Sequence, residues 1–159
     1  MKKIVLIAAL TLMNSMIAQC PAAASFVIVK QSKKDPYSVN SNSRTASILS
    51  GNSYELSFIA QNGMDYRFSV ACLNSGAGTV SYELYEMVTE KSENNGKTEY
   101  KKVKKSIGTS ADAEGGVLEM VSDKTRKIFI KVTLDGGNPK KPECVGVLIE
   151  NKFSTKIGF

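Results

Sequence analysis

Few side chains in this chain are suited to covalent or metal chemistry. It contains three cysteines and no histidine, so neither a Ser-His-Asp nor a Cys-His nucleophile can be assembled, and the commonest metal ligand is missing. No Ser-x-x-Lys acylation motif occurs. Cys72 and Cys144 are isolated, unlike the cysteines of a zinc site or a redox Cys-x-x-Cys pair. These features argue against an enzyme.

Carboxylates are the remaining chemical candidates, because two of them suffice for glycoside hydrolysis. Most acids here fall in predicted turns or opposite lysines, where a solvated surface is expected. Asp65 opens a predicted strand beside Tyr66 and Arg67, and a turn cap or an Asp–Arg pair explains it better than catalysis. Residues 112–116 (DAEGG) lack the alternating acids of a calcium loop, and we predict a polar loop there. We predict no catalytic, cofactor-binding or metal residues, and a carboxylate-pair hydrolase is the weaker alternative.

The first residues indicate export. Residues 1–3 (MKK) give a basic start, residues 4–12 form a run that is apolar apart from Thr11, and residues 22–24 are the small residues that a signal peptidase requires. The apolar run is shorter than the roughly 20 residues that cross a bilayer. We therefore predict a cleaved signal peptide over residues 1–24 and a secreted or periplasmic domain over residues 25–159.

The cysteines permit two different fates for Cys20. If Cys20 leaves with the leader, Cys72 and Cys144 form an even pair in an oxidising compartment, and we predict a disulfide between them. Closing a loop of roughly 70 residues would stabilise the fold by about 4 kcal/mol. Two buried free thiols are the alternative. The run Ile17-Ala18-Gln19-Cys20 also resembles a lipobox, which would make the protein a lipid-anchored outer-membrane protein, although Gln19 is larger than that pattern requires.

The elements that must position these residues are strands, because the polar and apolar side chains alternate with a period of two. Residues 65–73 place Tyr66, Phe68, Val70 and Cys72 on one face and Arg67, Ser69 and Ala71 on the other. Residues 127–134 alternate in the same way, residues 144–150 read as a buried strand, and glycine- and asparagine-rich turns separate the segments. The prediction is an all-β, jelly-roll-like antiparallel β-sandwich of about eight strands, with a partly irregular lead-in over residues 25–47 and a short strand near residues 26–29.

A hairpin is predicted around Asn95-Gly96, the strongest two-residue turn signal. Counting outward from that turn pairs two sets of apolar residues and two sets of opposite charges. These pairs are Val88 with Val103, Leu84 with Ile107, Glu90 with Lys101, and Glu86 with Lys105. A helix over residues 83–91 is the competing interpretation.

Charge and aromatic content limit the class of partner. Removing the leader leaves an excess of four cations, a mild value that does not indicate nucleic acid. The cluster Lys101, Lys102, Lys104 and Lys105 is typical of a solvated strand edge. The chain has no Trp, and Tyr82 and Tyr85 point to opposite faces of the predicted hairpin, so a stacking platform for sugars is not evident. We expect a protein or a surface glycan as partner, and no nucleic acid, cofactor or membrane span in the mature chain.

Three segments carry a resemblance to known proteins. Residues 63–70 (GMDYRFSV), 144–150 (CVGVLIE) and 156–159 (KIGF) resemble an uncharacterised family of small secreted proteins of Gram-negative bacteria. The resemblance covers most of residues 50–159 and brings no site residues with it. The strand pattern is also similar to the β-sandwich of pre-peptidase C-terminal (PPC-like) domains, which are non-catalytic accessory modules. The first resemblance implies a secreted protein and the second a non-catalytic module. Together with the residues above, we predict an exported, non-catalytic binding module of the bacterial envelope.

Overall fold

Nine antiparallel strands in two sheets make up the part of the chain that the computed structural model describes, which is residues 20–28, 37–74, 76, 78–94 and 97–155. The predicted signal peptide lies outside these ranges as far as residue 19. The first sheet contains β1 (Ser38–Val39), β2 (Arg44–Ile48), β4 (Met64–Cys72), β7 (Val117–Ser122) and β9 (Glu143–Phe153). The second contains β3 (Ser53–Ala60), β5 (Thr79–Asn94), β6 (Lys97–Thr109) and β8 (Arg126–Asp135). Single turns of 3-10 helix lie at Ala23–Ser25 and Ser110–Asp112.

The strand order confirms the predicted jelly-roll-like sandwich. The first sheet runs β2-β9-β4-β7, with the two-residue β1 also paired to β9, and the second runs β3-β8-β5-β6. From β2 onward, successive strands alternate between the sheets except at the β5–β6 hairpin, as in a jelly roll built from two Greek keys. Within the described residues, no helix is long and apolar enough to cross a membrane.

The core lies between the two sheets and follows the predicted alternation. Ile128, Ile130, Val132 and Leu134 of β8 all point inward and are almost completely buried. From β4, Tyr66 and Phe68 pack against Phe58 of β3, with ring centroids 5.4 and 5.8 Å from that ring. The predicted inward and outward faces of both strands are therefore confirmed.

The β5–β6 hairpin confirms three of the four predicted pairs. Val88 lies opposite Val103, Glu90 opposite Lys101 and Glu86 opposite Lys105. The fourth pair was wrong, because the register shifts between Leu84 and Tyr85 and Leu84 lies opposite Gly108. This β-bulge leaves Ile107 as an extra residue, which packs against the core. The competing helix over residues 83–91 is excluded, and the turn residues 95 and 96 lie outside the described ranges.

Beyond the bulge the hairpin projects as a ribbon, which we define as residues 86–94 and 97–105. Pairing between β5 and β8 ends at Tyr85 and Phe129, so the ribbon strands pair only with each other. Glu86 is buried at the ribbon's base, 3.3 Å from Arg126. The lysines at 101, 102, 104 and 105 are exposed on β6, the outermost strand of this sheet, which confirms the predicted solvated edge.

The segment ahead of β1 packs on the outer face of the first sheet. A 3-10 turn at Ala23–Ser25 brings Ala23 and Val27 against Leu148 of β9, and these three residues form a second apolar cluster. The expected short strand near residues 26–29 is wrong for residues 26–28, which form no strand, and Val29 lies outside the described residues. The predicted irregular lead-in in fact includes the strands β1 and β2.

The predicted Cys72–Cys144 disulfide is wrong. Cys144 is bonded to Cys20, and Cys72 is a free thiol. Cys72 lies opposite Val145 and packs with it against the core. Cys144 directly precedes Val145 on β9 and therefore points to the outer face. Two cysteines on opposite faces of one sheet cannot bridge. On the chain-entropy account, closing a loop across 124 residues contributes about 5 kcal/mol.

Gly146 offers a test of the packing of the N-terminal segment. A Cβ at this position would lie 2.6 Å from the Phe26 ring and 3.0 Å from Val27, so Gly146→Ala should force that segment away from β9. We expect a loss of about 1–3 kcal/mol in the free energy of unfolding, measured by urea denaturation. Gly76→Ala is the matched control, because nothing lies within 4 Å of a Cβ there. Equal stability of the two variants would contradict the packing described.

Candidate functional site

The outer face of the first sheet carries a cluster of charged side chains, which we call the outer-face cluster. It consists of Asp65 and Arg67 on β4, Glu119 on β7, and Glu150 and Lys152 on β9. The residues alternate with core residues along each strand, so all five point to the same face. The register places Arg67 between Glu119 and Glu150, and Asp65 opposite Lys152. Each acid thus lies directly across from a cation.

Ion pairs and a tyrosine ring hold the cluster together. Arg67 Nε lies 2.9 Å from Glu119 Oε1, and Lys152 Nζ lies 3.8 Å from Asp65 Oδ2. The ring of Tyr37 contacts both cations, with its centroid 3.9 Å from Arg67 Cζ and 4.8 Å from Lys152 Nζ. Burial, and secondarily the charge of Glu119, raise the pKa of the Tyr37 hydroxyl, although the two cations act in the opposite direction. Tyr37 is therefore a neutral hydroxyl at physiological pH.

Several polar groups of this face are buried with hydrogen-bonding capacity to spare. Asp65, for example, is 6% exposed. In the described part of the chain, Asp65 Oδ1, Arg67 Nη1 and Ser69 Oγ are buried and have no hydrogen-bond partner. Most buried polar atoms of folded proteins are paired, so unpaired donors and acceptors on one face need an explanation. A ligand that supplies the missing partners is one explanation.

Two adjoining depressions open over the cluster, and we call them together the outer-face cleft. The smaller has a volume of about 330 Å³, and the larger of about 830 Å³. Arg67 and Glu119 line both, so their ion pair separates the two. The smaller depression is lined by Tyr37, Asp65, Tyr66, Arg67, Glu119, Met120, Val121, Lys152 and Thr155. The larger is lined by Ile28, Arg67, Asp112, Glu114, Gly115, Val117, Leu118 and Glu119.

The loop between β6 and β7 supplies two of the three acids that line the larger depression. A 3-10 turn ends at Asp112, whose Oδ2 accepts hydrogen bonds of 2.8 Å from both the Oγ1 and the backbone N of Thr109. The hydroxyl hydrogen bond first, and the backbone hydrogen bond second, lower the pKa of Asp112. Asp112 and Glu114 thus line this end of the cleft, and the segment predicted to be a polar loop forms part of the site.

The cleft suits binding better than acid–base catalysis. Asp65 and Glu150 are both buried, but they lie diagonally on neighbouring strands and each lies directly opposite a cation. Of these two buried acids, Asp65 lines the cleft. Across the described ranges, no group of three or more His, Cys, Asp or Glu residues is placed to hold a metal ion. What the arrangement presents to a ligand is fixed charges of both signs beside unpaired donors and acceptors.

Sequence reasoning located part of this site. Asp65 was singled out, but its ion-pair partner is Lys152, and Arg67 pairs with Glu119, so the predicted Asp–Arg pair was wrong. Tyr37, Glu119 and Lys152 were missed. Glu150 and Lys152 are two positions apart near the end of β9, so their side chains point to the same face. This spacing is the feature of the sequence from which charges on that face could have been predicted. Their partners depend on which strands become neighbours.

A second aromatic surface lies on the outer face of the second sheet. The rings of Tyr85 and Phe129 stack with centroids 5.1 Å apart, and Lys104 Nζ lies 4.2 Å from the Tyr85 ring. Tyr82 points into the core, which confirms that it and Tyr85 lie on opposite faces. Because Tyr85 is buried, this stack does not offer an open platform for sugars.

No protein-family model matches the sequence, and no curated protein sequence matches it. Among solved structures, the chain is similar to the crystal structure of Aeromonas hydrophila PliG, a periplasmic lysozyme inhibitor of g-type lysozyme. The sequence identity is 11%, the TM-score is 0.42, and the match covers 79% of this chain and 93% of that chain. A likeness at this level carries no argument about function.

Arg67 should hold the outer-face cluster together. Arg67→Met keeps the apolar stem but leaves Glu119 and the buried Glu150 without the cation between them. Because hydrogen bonds to charged groups each contribute about 1.5–3 kcal/mol, we expect a loss of that order in the free energy of unfolding, measured by urea denaturation. Lys140→Met, in the exposed turn before β9, is the control and should be neutral. If both variants unfold alike, the cluster does not contribute to stability.

Tyr85 should titrate unusually late. Its hydroxyl donates a hydrogen bond of 2.5 Å to Glu55 Oε2, and this bond, with burial and the Glu55 charge, raises the pKa of Tyr85 to about 12. Since the folded state holds this proton more tightly than the unfolded chain, stability should fall as the pH rises from about 10 to 12. Ultraviolet absorbance titration would follow the phenolate. Glu55→Gln should lower the pKa of Tyr85 towards 10.0, and Tyr85→Phe, which removes the late transition, assigns it. An unchanged titration in Glu55→Gln would contradict the contact.

Proposed function

We propose that this protein is an exported, non-catalytic binding module whose partner docks in the outer-face cleft. The observation that carries the proposal is the group of buried, unpaired atoms there, Asp65 Oδ1 and Arg67 Nη1, beside charges held by ion pairs. A rigid sheet positions these groups, since β4 is hydrogen-bonded to β7 on one side and to β9 on the other. Such a site can recognise a ligand without moving a proton.

The chemistry of the cleft favours a polypeptide over a sugar. Tyr37, whose ring contacts both cations of the cluster, is 6% exposed, so this ring is not open for stacking. Polypeptide segments supply amides and charged side chains that can pair with a carboxylate and with a guanidinium group. We therefore propose a protein partner. Binding of a surface glycan in the cleft would contradict this choice.

Site-specific photo-crosslinking in the bacterial envelope tests the proposal. A photoreactive side chain at Val121, which is 37% exposed and lines the smaller depression, should give a discrete protein adduct. The matched position is Ile59 on β3, which is 54% exposed and belongs to the other sheet, and it should give none. Asp65→Asn, which keeps the shape and removes the charge, should weaken the adduct at Val121 at least tenfold.

The possible results separate the partner classes. A protein adduct at Val121 that depends on Asp65 supports the proposal. Absence of an adduct, together with binding to an array of bacterial surface glycans that Asp65→Asn abolishes, would replace the protein partner by a glycan. Equal adducts at both positions, or no binding in either assay, would refute a role for the cleft.

A further inference from the structure

We infer that the leader is cut ahead of Cys20, so that residues 20–28 remain as a permanent part of the exported domain. The cut predicted after Ala24 would remove Cys20 and with it the bridge to Cys144. Cys144 would then be left with Cys72, on the opposite face of the sheet, and no disulfide could form. A protein that folds in an oxidising compartment would lose its crosslink through its own processing.

Burial argues in the same direction as the disulfide. Ala23 is 3% exposed and Val27 is 5% exposed, and both pack on Leu148, which is itself 4% exposed. A cut after Ala24 would discard Ala23 and leave this side of Leu148 without the residue that covers it. Uncovering apolar surface is unfavourable. Signal peptides are discarded, so their residues are not expected to complete the packing of the domain that they export.

Gly146 gives independent support. It lies in the middle of β9, where a glycine weakens a strand because it contributes no side chain. The space above it is filled by the Phe26 ring, which a Cβ would approach to 2.6 Å. Close approach of another chain segment is a common reason for glycine in a strand. The sequence of β9 is therefore fitted to the segment that carries Phe26.

The position of the cut follows from the disulfide and the residue types upstream. Ala18 is the last small residue before Cys20, separated from it by Gln19. A signal peptidase site has small residues at the first and third positions before the cut. Ala18 meets the first requirement and Met16 does not meet the second, so the disulfide, which needs the cut ahead of Cys20, is what places it between Ala18 and Gln19. The same bridge excludes lipidation of Cys20, because a sulfur in a disulfide is not free to form a thioether.

Intact-mass analysis of the exported protein, produced from the full chain, tests the inference. We expect the mass of residues 19–159. One cysteine should react with iodoacetamide in denaturant, and three cysteines should react after reduction. A non-reduced digest should contain a peptide that joins Cys20 to Cys144. Cys72→Ser should leave no reactive thiol before reduction, whereas Cys20→Ser should leave two.

Other results would overturn the inference. These are a mass that begins at Ser25, an acylated Cys20, an uncut chain, or a digest in which Cys72 is joined to Cys144. Because none of these measurements involves the cleft or its partner, the inference and the proposed function can fail separately.

Discussion

The strict alternation of side chains along β4 and β9 is the constraint on which the rest of the structure depends. These neighbouring strands form the centre of the first sheet, and every residue on them must face either the core or the outer surface. Tyr66, Phe68 and Val147 face inward and join the core. The residues between them face outward and build, in turn, the disulfide contact, the apolar cluster and the charged cleft. One backbone register therefore sets both the stability of the sandwich and the chemistry of its outer face.

The outer face combines an apolar end and a charged end on the same strands. Leu148 is covered by the segment that begins at Cys20, and two residues further along β9 the charged residues begin with Glu150. The acids on this face can be buried because the cations Arg67 and Lys152 lie directly across from them. Such pairs add little net stability, because the cost of removing both charges from water offsets their attraction. Removing one member of a pair is nevertheless destabilising, because it leaves the other charge uncompensated. Pairing of this kind holds the charged groups in place for a ligand without making them reactive.

Local patterns predicted β4, β8, β9 and the hairpin with its register as far as the bulge, because alternation and turn residues act between near neighbours in sequence. They did not predict β1 and β2. The same patterns could not predict the disulfide. Whether Cys72 and Cys144 can meet depends on which face each occupies, and that follows from the pairing of Cys72 with Val145 across more than 70 residues. The cleft was likewise only partly visible, since Asp65 stood out in the sequence whereas Glu119 and Lys152 gained their roles through strand neighbours far along the chain. The bulge at Leu84 escaped prediction because Ile107 is drawn to the core by tertiary packing, not by the turn.

The ribbon of β5 and β6 can open locally while the two sheets of the sandwich stay paired. Its two strands are joined to each other and to little else beyond Tyr85, so its amide protons are protected only by the opposite strand. Among the described residues, opening of the end of the ribbon farthest from the bulge exposes none of the side chains that fill the sandwich. A change in the length of the ribbon should therefore cost the sandwich little stability, whereas an insertion of one residue below the bulge would shift the register of the sheet.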